Sequence, residues 1–327
     1  MEKALNYIDI FAGCGGLSTG LFNAGWHGLF AVEKNADAFS TLKFNLIDTV
    51  PHFVWPEWLS TEAHDINELI SKNEDNLKAL RGHVTLVAGG PPCQGFSMAG
   101  KRNANDQRNK LVESYIQFIK LVAPQVIIFE NVHGFTVNFK DKKGAKQYST
   151  YVEQALTEEG YQVAHSIIDM SHFGIPQNRK RFILVAMKGH DPKRVFAVLA
   201  ENRAAFCKEK GIMCTTSVRD AISDLEKSCG TVPSPDTKGF NAGIYGAIQS
   251  GYQKLMRQKL STDTRVVNSH RFVNHRADTV KLHEDLLRTA PRGKRITPTD
   301  GIVDNLNRRG VTVLDPNSQS PTITSIP

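Results

Sequence analysis

In the stretch Gly89–Ser97, GGPPCQGFS, one cysteine stands between a proline pair and a glycine one residue further on, just after the apolar run Val84–Ala88. A free cysteine is as a rule a small buried hydrophobe. On so stiff a turn at the end of a strand, Cys93 also reads as a nucleophile that must not drift, and the cysteine alone does not decide between the two. Glu130 closes the next apolar run, in PQVIIFENVHG, and Arg179 and Arg181 stand two apart at the entrance to another, in PQNRKRFILVAM. Strand alternation points both arginines to one side. A thiolate, a carboxyl and guanidinium groups on one rim make a site for covalent catalysis on an electron-poor ring.

A second constellation suits an adenosine-bearing ligand. YIDIFAGCGGLSTG reads as a strand, a glycine-rich turn and the opening of a helix. Gly13, Gly15 and Gly16 let the backbone turn tightly and come close to a ligand. The spacing is not GxGxxG, which weakens a dinucleotide reading. Glu33 ends the second strand, in LFAVEKN, where an acid can accept hydrogen bonds from both ribose hydroxyls. Asp65 and Ile66 follow a third, weak extended segment and are placed to bond and pack against an adenine. These features do not separate NAD from S-adenosylmethionine.

The elements that must carry these residues alternate. Strands are expected at Tyr7–Phe11, Leu29–Glu33, Val84–Ala88, Val126–Glu130, Ala164–Met170 and Phe182–Met187, with helices at Leu17–Ala24, Ala36–Asn45, Leu111–Val122 and Tyr148–Glu159. This is an α/β pattern with a mostly parallel sheet, in which chemistry gathers beyond the carboxyl ends of the strands. From about His190 the pattern changes. Val195–Lys210 still reads as helix, and then a Gly-, Pro-, Ser- and Asp-rich stretch runs from Cys229 to Gly251. A second, smaller domain is expected over 190–312.

Charge points the same way. The 327 residues carry a formal excess of +7, and residues 251–310 hold 13 Lys/Arg against 6 Asp/Glu. A basic segment on a neutral body is the footprint of a polyanion partner. Five scattered cysteines without CxxC pairing suggest a reducing compartment and no metal site. The apolar runs are far short of a membrane span and the N-terminus enters a strand pattern at once, so a cytoplasmic protein without a membrane partner is expected.

DIFAGCGG, VEKN, GGPPCQGFS, DQRNKL, FENV and QNRKR, in this order and spacing, resemble the DNA cytosine-5 methyltransferases of bacterial or phage type, and SPTIT at 320–324 resembles the start of that family's ninth motif. The resemblance implies a Rossmann-like, S-adenosylmethionine-dependent methyltransferase domain over 1–189, a target-recognition domain over 190–312, and the start of a return segment over 313–327. It implies that Cys93 attacks C6 of a flipped-out cytosine in double-stranded DNA, making C5 enamine-like so that it takes the methyl group. Glu130 would act on N3, and Arg181, supported by Arg179, would hold O2. Phe11, Gly13, Gly15, Gly16, Leu17, Glu33, Asp65, Ile66, Pro92 and Leu111 would bind S-adenosyl-L-methionine, which leaves as S-adenosyl-L-homocysteine.

Residues 94–111 would form a polar lid hinged at Gly95 and Gly100, with Ser97, Lys101, Arg102 and Arg108 reaching phosphates. In the recognition domain, the segment from Ser269 to Ile296, including Arg271 and Arg276, would meet DNA, or would do so in part with the rest a helix packed on the core. Two departures stand out. Lys34 follows Glu33 where family members often carry an aromatic or apolar residue. The chain also stops before the family's tenth motif, so a missing segment or a second polypeptide would complete the fold, and one subunit of a split, separately inactive enzyme is an alternative. A transfer-RNA cytosine methyltransferase would share scaffold and thiol, but that branch carries a Cys-Phe-Thr element that is absent here.

Overall fold

The computed structural model describes residues 5–92, 110–136, 148–261, 263–304, 306 and 310–323. The chain divides into two compact units, residues 1–168 with 181–198, and residues 169–180 with 199–327.

The first unit is built on a six-stranded sheet of order β2-β1-β3-β4-β6-β5. Its strands are β1 (Asn6–Ile10), β2 (His27–Val32), β3 (Leu86–Gly89), β4 (Val126–Val132), β5 (Gln162–Asp169) and β6 (Lys180–Met187). The helices around it are α1 (Gly16–Asn23), α2 (Ala36–Lys43), α3 (Ile66–Lys72), α4 (Glu74–Ala79), α5 (Lys110–Val122), α6 (Tyr148–Glu158) and the start of α7 (Lys193–Glu209). β1 pairs in parallel with β2 and β3, and β3 with β4, whereas β6 runs antiparallel to β4. The fold is therefore α/β and Rossmann-like, with a mostly parallel sheet.

The apolar runs read from the sequence become these strands because both faces of a parallel sheet are normally covered. β3 is buried throughout. The main core joins Ile8, Ile10 and Phe30 to Val87, Ile127 and Phe129, with Tyr115, Phe118 and Ile119 of α5 packed on them. Side chains cap the helices that follow β2: Asn35 accepts the Ala38 N–H at 2.9 Å, and Asp65 accepts the Asn67 N–H at 2.8 Å. The weak extended segment expected before Asp65 is no strand. Pro51 and Pro56 interrupt it, and what remains is a single bridge between Gly28 and Phe53.

β4 alternates. Ile127, Phe129 and Asn131 are buried, while Val126, Ile128, Glu130 and Val132 on its other face are half-buried.

The second unit holds a three-stranded antiparallel sheet of order β7-β8-β9, from β7 (Thr231–Pro233), β8 (Asn241–Ile244) and β9 (Val266–Phe272). Beside these elements are α8 (Val218–Ile222), α9 (Gly251–Met256), α10 (Ala277–Thr289) and the ribbon of β10 (Arg295–Ile296) with β11 (Val311–Thr312). Leu286 of α10 packs with Ile296 and Val313 in a small core. Part of the segment expected to meet DNA thus serves as a packed helix. Inside this unit the backbone N–H of Asn178 donates to the Ser320 carbonyl at 2.8 Å, and the Thr322 hydroxyl donates to the Asn178 carbonyl at 2.5 Å. Two motifs far apart in sequence are joined by these bonds.

Candidate active site

The parallel strands β2, β1, β3 and β4 end at one edge of the sheet, and each delivers a residue there. After β1 the chain turns through Phe11, Gly13 and Gly15 with positive φ angles of 61°, 56° and 85°. Glycine adopts this left-handed region freely, whereas Phe11 is strained in it. At the end of β2, Glu33 accepts the Gly13 N–H at 2.8 Å on one oxygen and the Asn35 N–H at 2.7 Å on the other. The carboxylate thereby ties the glycine turn to the start of α2. Each oxygen keeps a second lone pair, so ribose hydroxyls can still donate to it. Gly16 opens α1, and Leu17 is half-buried beside Tyr7, Leu21 and Ile128.

Asp9 and Ser18 hold the same turn from beneath. The Ser18 hydroxyl donates to the Asp9 carboxylate at 2.6 Å, and the two residues are 1% and 0% exposed. Burial pushes the Asp9 carboxyl up to about 7, opposed by the Ser18 bonds and reinforced by the negative charge of Glu33. The sequence signal for Asp9 was present and unused: an acid in the middle of the apolar run YIDIF.

Asp65 has partners on both oxygens. One caps α3, and the other pairs with the Lys34 ammonium at 2.8 Å, which holds the carboxyl below its ordinary value. Ile66 is buried in the main core at 4% exposure, and Leu111 and Phe11 pack at that core's margin. Pro92 is exposed.

At β3 and β4 the geometry is tighter. A side chain on Gly89 would run into the Ile10 carbonyl, and a Cβ on Gly90 would lie 2.7 Å from Glu130 Oε2. The buried Asn131 amide donates to the Pro91 carbonyl at 3.2 Å, so the strand carrying Glu130 also pins the proline pair that leads to Cys93. Asn131 escaped the sequence reading, although it sits in the FENV run next to Glu130.

Because β6 runs antiparallel to β4, its first residues return to this same edge, with Arg181 opposite Val132. Arg181 Nε lies 2.8 Å from Glu130 Oε1, with the two side chains 12% and 34% exposed. Glu130 and Arg181, 51 positions apart in the chain, therefore form one charged unit beside Gly90. Arg179 precedes β6 and belongs to the second unit, where its carbonyl accepts the Met170 N–H at 2.9 Å. Cys93, Ser97, Lys101, Arg102 and Arg108 lie outside the described residues, as does most of the expected lid. Arg271 and Arg276 are exposed in the second unit, Arg276 paired with Asp278 at 3.1 Å. Among the described residues, no group of three or more His, Cys, Asp or Glu side chains is placed to hold a metal ion.

The C-5 cytosine-specific DNA methylase family matches residues 5–312. The chain belongs to that family. Among curated members it is 32% identical over 225 residues to the type II methyltransferase M.DdeI of Desulfomicrobium norvegicum, covering 68% of this chain and 48% of that one. It is 34% identical over 261 residues to the type II methyltransferase M.AgeI of Thalassovita gelatinovora, covering 76% and 57%. The chain thus spans about half the length of these curated relatives. A solved structure described as a DNA modification methyltransferase encoded within a prophage (E. coli) matches with a TM-score of 0.60 at 21% identity, covering 98% of this chain and 82% of that chain. That likeness confirms the methylase fold.

Proposed function

We propose that the chain carries the catalytic and recognition parts of an enzyme that methylates C5 of a cytosine in a specific double-stranded DNA sequence, with S-adenosylmethionine as the methyl donor. The observation that carries this reading is the Glu130–Arg181 pair at 2.8 Å, facing the side-chain-free Gly90 two residues before the Pro92–Cys93 step. A pyrimidine needs a carboxyl at N3 and a donor at O2, and this unit supplies both. Glu130 Oε1 accepts from Arg181, which leaves Oε2 for the ring.

The residues present fit the donor. Glu33 offers acceptors to a ribose, and the Phe11–Gly16 turn presents backbone beside it. When bound, S-adenosylmethionine supplies an electrophilic methyl group to ring C5. The residues of the chain perform the rest. The Cys93 thiolate adds to C6 and pushes electron density toward C5. Glu130, carrying a proton on its carboxyl, donates it to N3, and Arg181 donates to O2, so that the negative charge developing on the ring is stabilised. After the methyl group is in place, the C5 proton is lost to water, and its electron pair re-forms the C5–C6 double bond and expels the Cys93 thiolate. A stacked base does not reach such a site, so the target is flipped out of the duplex.

Transfer of labelled methyl from S-adenosylmethionine to duplex DNA and to transfer RNA tests the reading. Incorporation into DNA is expected, abolished by Cys93→Ser, with DNA affinity within a few-fold of the parent. Cys14→Ser, at an exposed position of the glycine turn, should keep most activity. Substantial turnover by Cys93→Ser would sink the covalent mechanism.

Among the described residues no helix is long and apolar enough to cross a membrane. A bacterial cytoplasm, which keeps thiols reduced, suits the four described cysteines, all of them free.

A further inference from the structure

Arg271 of the second unit is oriented by a neutral hydroxyl and an aromatic face together. β9 lies at the edge of the three-stranded sheet, and its register against β8 slips between Ala242 and Ile244, so the residues between Val266 and Arg271 bulge from the ladder. Bulges re-aim the side chains beside them. Ser269 in the bulge takes a φ of 57°, a strained value outside glycine, and its N–H donates to Asp236 Oδ2 at 3.2 Å. The other Asp236 oxygen accepts the Ser234 hydroxyl at 2.7 Å and the Thr237 hydroxyl at 3.0 Å. Thr237 Oγ1 in turn accepts Arg271 Nη1–H at 3.1 Å, and the guanidinium carbon lies 5.3 Å from the centre of the Phe240 ring.

Arg271 is therefore held from two sides, by a hydroxyl relay and by an aromatic face. Arg257, Arg276 and Arg288 of the same unit each meet a carboxylate, respectively Asp224, Asp278 and Asp285. Among the described residues Arg271 meets none, and its Nε–H and Nη2–H edge is unengaged. A phosphate is served by any mobile cation. A guanidinium fixed in the free protein has already met the ordering cost of a bidentate contact. The acceptor pair that matches such a fork in the major groove is O6 and N7 of guanine.

We infer that Arg271 reads a guanine base in the DNA duplex and so sets one position of the recognition sequence. Thr237 and Phe240 act through it as positioning residues. The inference rests on the reading of the chain as a DNA-modifying enzyme. It adds that the recognition sequence contains a guanine whose identity depends on a single side chain.

Selection of bound duplexes from a random-sequence library, with the purified chain, tests this without requiring activity. The parent pool should carry a fixed guanine. Arg271→Lys and Arg271→Ala should lose preference at that position, by roughly ten- to hundredfold, and keep the rest of the consensus. Phe240→Leu should fall between, and unchanged melting temperatures show that the variants are folded. An unchanged guanine preference overturns the inference. So does uniform weakening with the consensus intact, the mark of a phosphate contact, or a parent pool without a consensus. Methyl transfer to the selected duplex is scored separately. A selected sequence that is never methylated counts against the proposed activity and leaves the guanine contact standing.

Discussion

Arg181 Nε donates to Glu130 Oε1 across 2.8 Å, joining the start of β6 to the closing residues of β4. The bond exists because β6 alone runs against its neighbour β4 and so brings its beginning, not its end, to the chemical edge of the sheet. Glu130→Gln keeps an oxygen for Arg181 but cannot carry the acid proton that the carboxyl passes to N3. Turnover should fall on the order of a hundredfold or more with little change in DNA affinity. Arg181→Ala should lose turnover as well and also lower the melting temperature, because it leaves Glu130 without its partner. Single-turnover rates beside duplex titrations check both, and near-parental turnover by Glu130→Gln would remove it from the chemistry.

Gly89 and Gly90 are adjacent and should respond differently. Alanine at 89 meets the Ile10 backbone, which cannot move without disturbing β1. Gly89→Ala should cost about 1–3 kcal/mol or more of stability. Alanine at 90 meets the end of the Glu130 side chain at 2.7 Å and the Glu130 carbonyl at 3.2 Å, and the side chain yields by loosening its bond to Arg181. Gly90→Ala should therefore cost less stability than Gly89→Ala and yet lose much of its turnover. Thermal melts and initial rates on the two variants decide the point; equal losses of stability would contradict it.

Asp9 gives a pH signature. Its carboxyl rises from 3.8 to about 7 on folding, so the folded chain binds more protons than the unfolded one between those values. The stability contributed by the protonated form is full below about 4 and is lost as pH rises through about 7. Ser18 bonds to the group, and the charges or hydroxyls of Glu33, Tyr7 and Tyr115 bear on it. Asp9→Asn keeps an acceptor for Ser18 and cannot ionise. Its urea midpoint relative to the parent should be close below about pH 4, rise progressively between about 4 and 7, and hold that lead at pH 8. A difference independent of pH would show that Asp9 does not titrate in this window.

Glu33 is expected to serve the cofactor more than the DNA. Glu33→Ala removes the acceptor for Gly13 and Asn35 together with the ribose partner. Charge-assisted bonds of this kind are worth roughly 1.5–3 kcal/mol each, so a tenfold or greater loss of S-adenosylmethionine affinity is reasonable. Calorimetry decides, and an unchanged affinity would place the ribose elsewhere.

Much of the first unit was legible in advance. The apolar runs around Ile8, Phe30, Val87, Ile127 and Leu184 are continuous because both sheet faces are covered, and continuous runs survive small errors of boundary. The places of Glu33, the glycine turn and Glu130 at one sheet edge were legible because each sits at the end of such a run. The second unit was less so. β7 and β8 lie in the Gly-, Pro- and Ser-rich stretch from Cys229 to Gly251, where their strands are a few residues long and exist through pairing with one another and with β9. Local composition there favours turns, and the contacts that override it are distant in sequence.

By itself the sequence determined the residue types of the site, their order along the chain and the family, since these depend on side-chain chemistry and spacing. The tertiary structure decided which of them meet. Arg181 reaches Glu130 through the reversed direction of β6, and Asn131 reaches Pro91 because β3 and β4 end side by side. Asp9 becomes a group that titrates near neutrality because neighbouring elements exclude water from it. Strand direction and burial arise from long-range pairing, and a local pattern of residues carries neither.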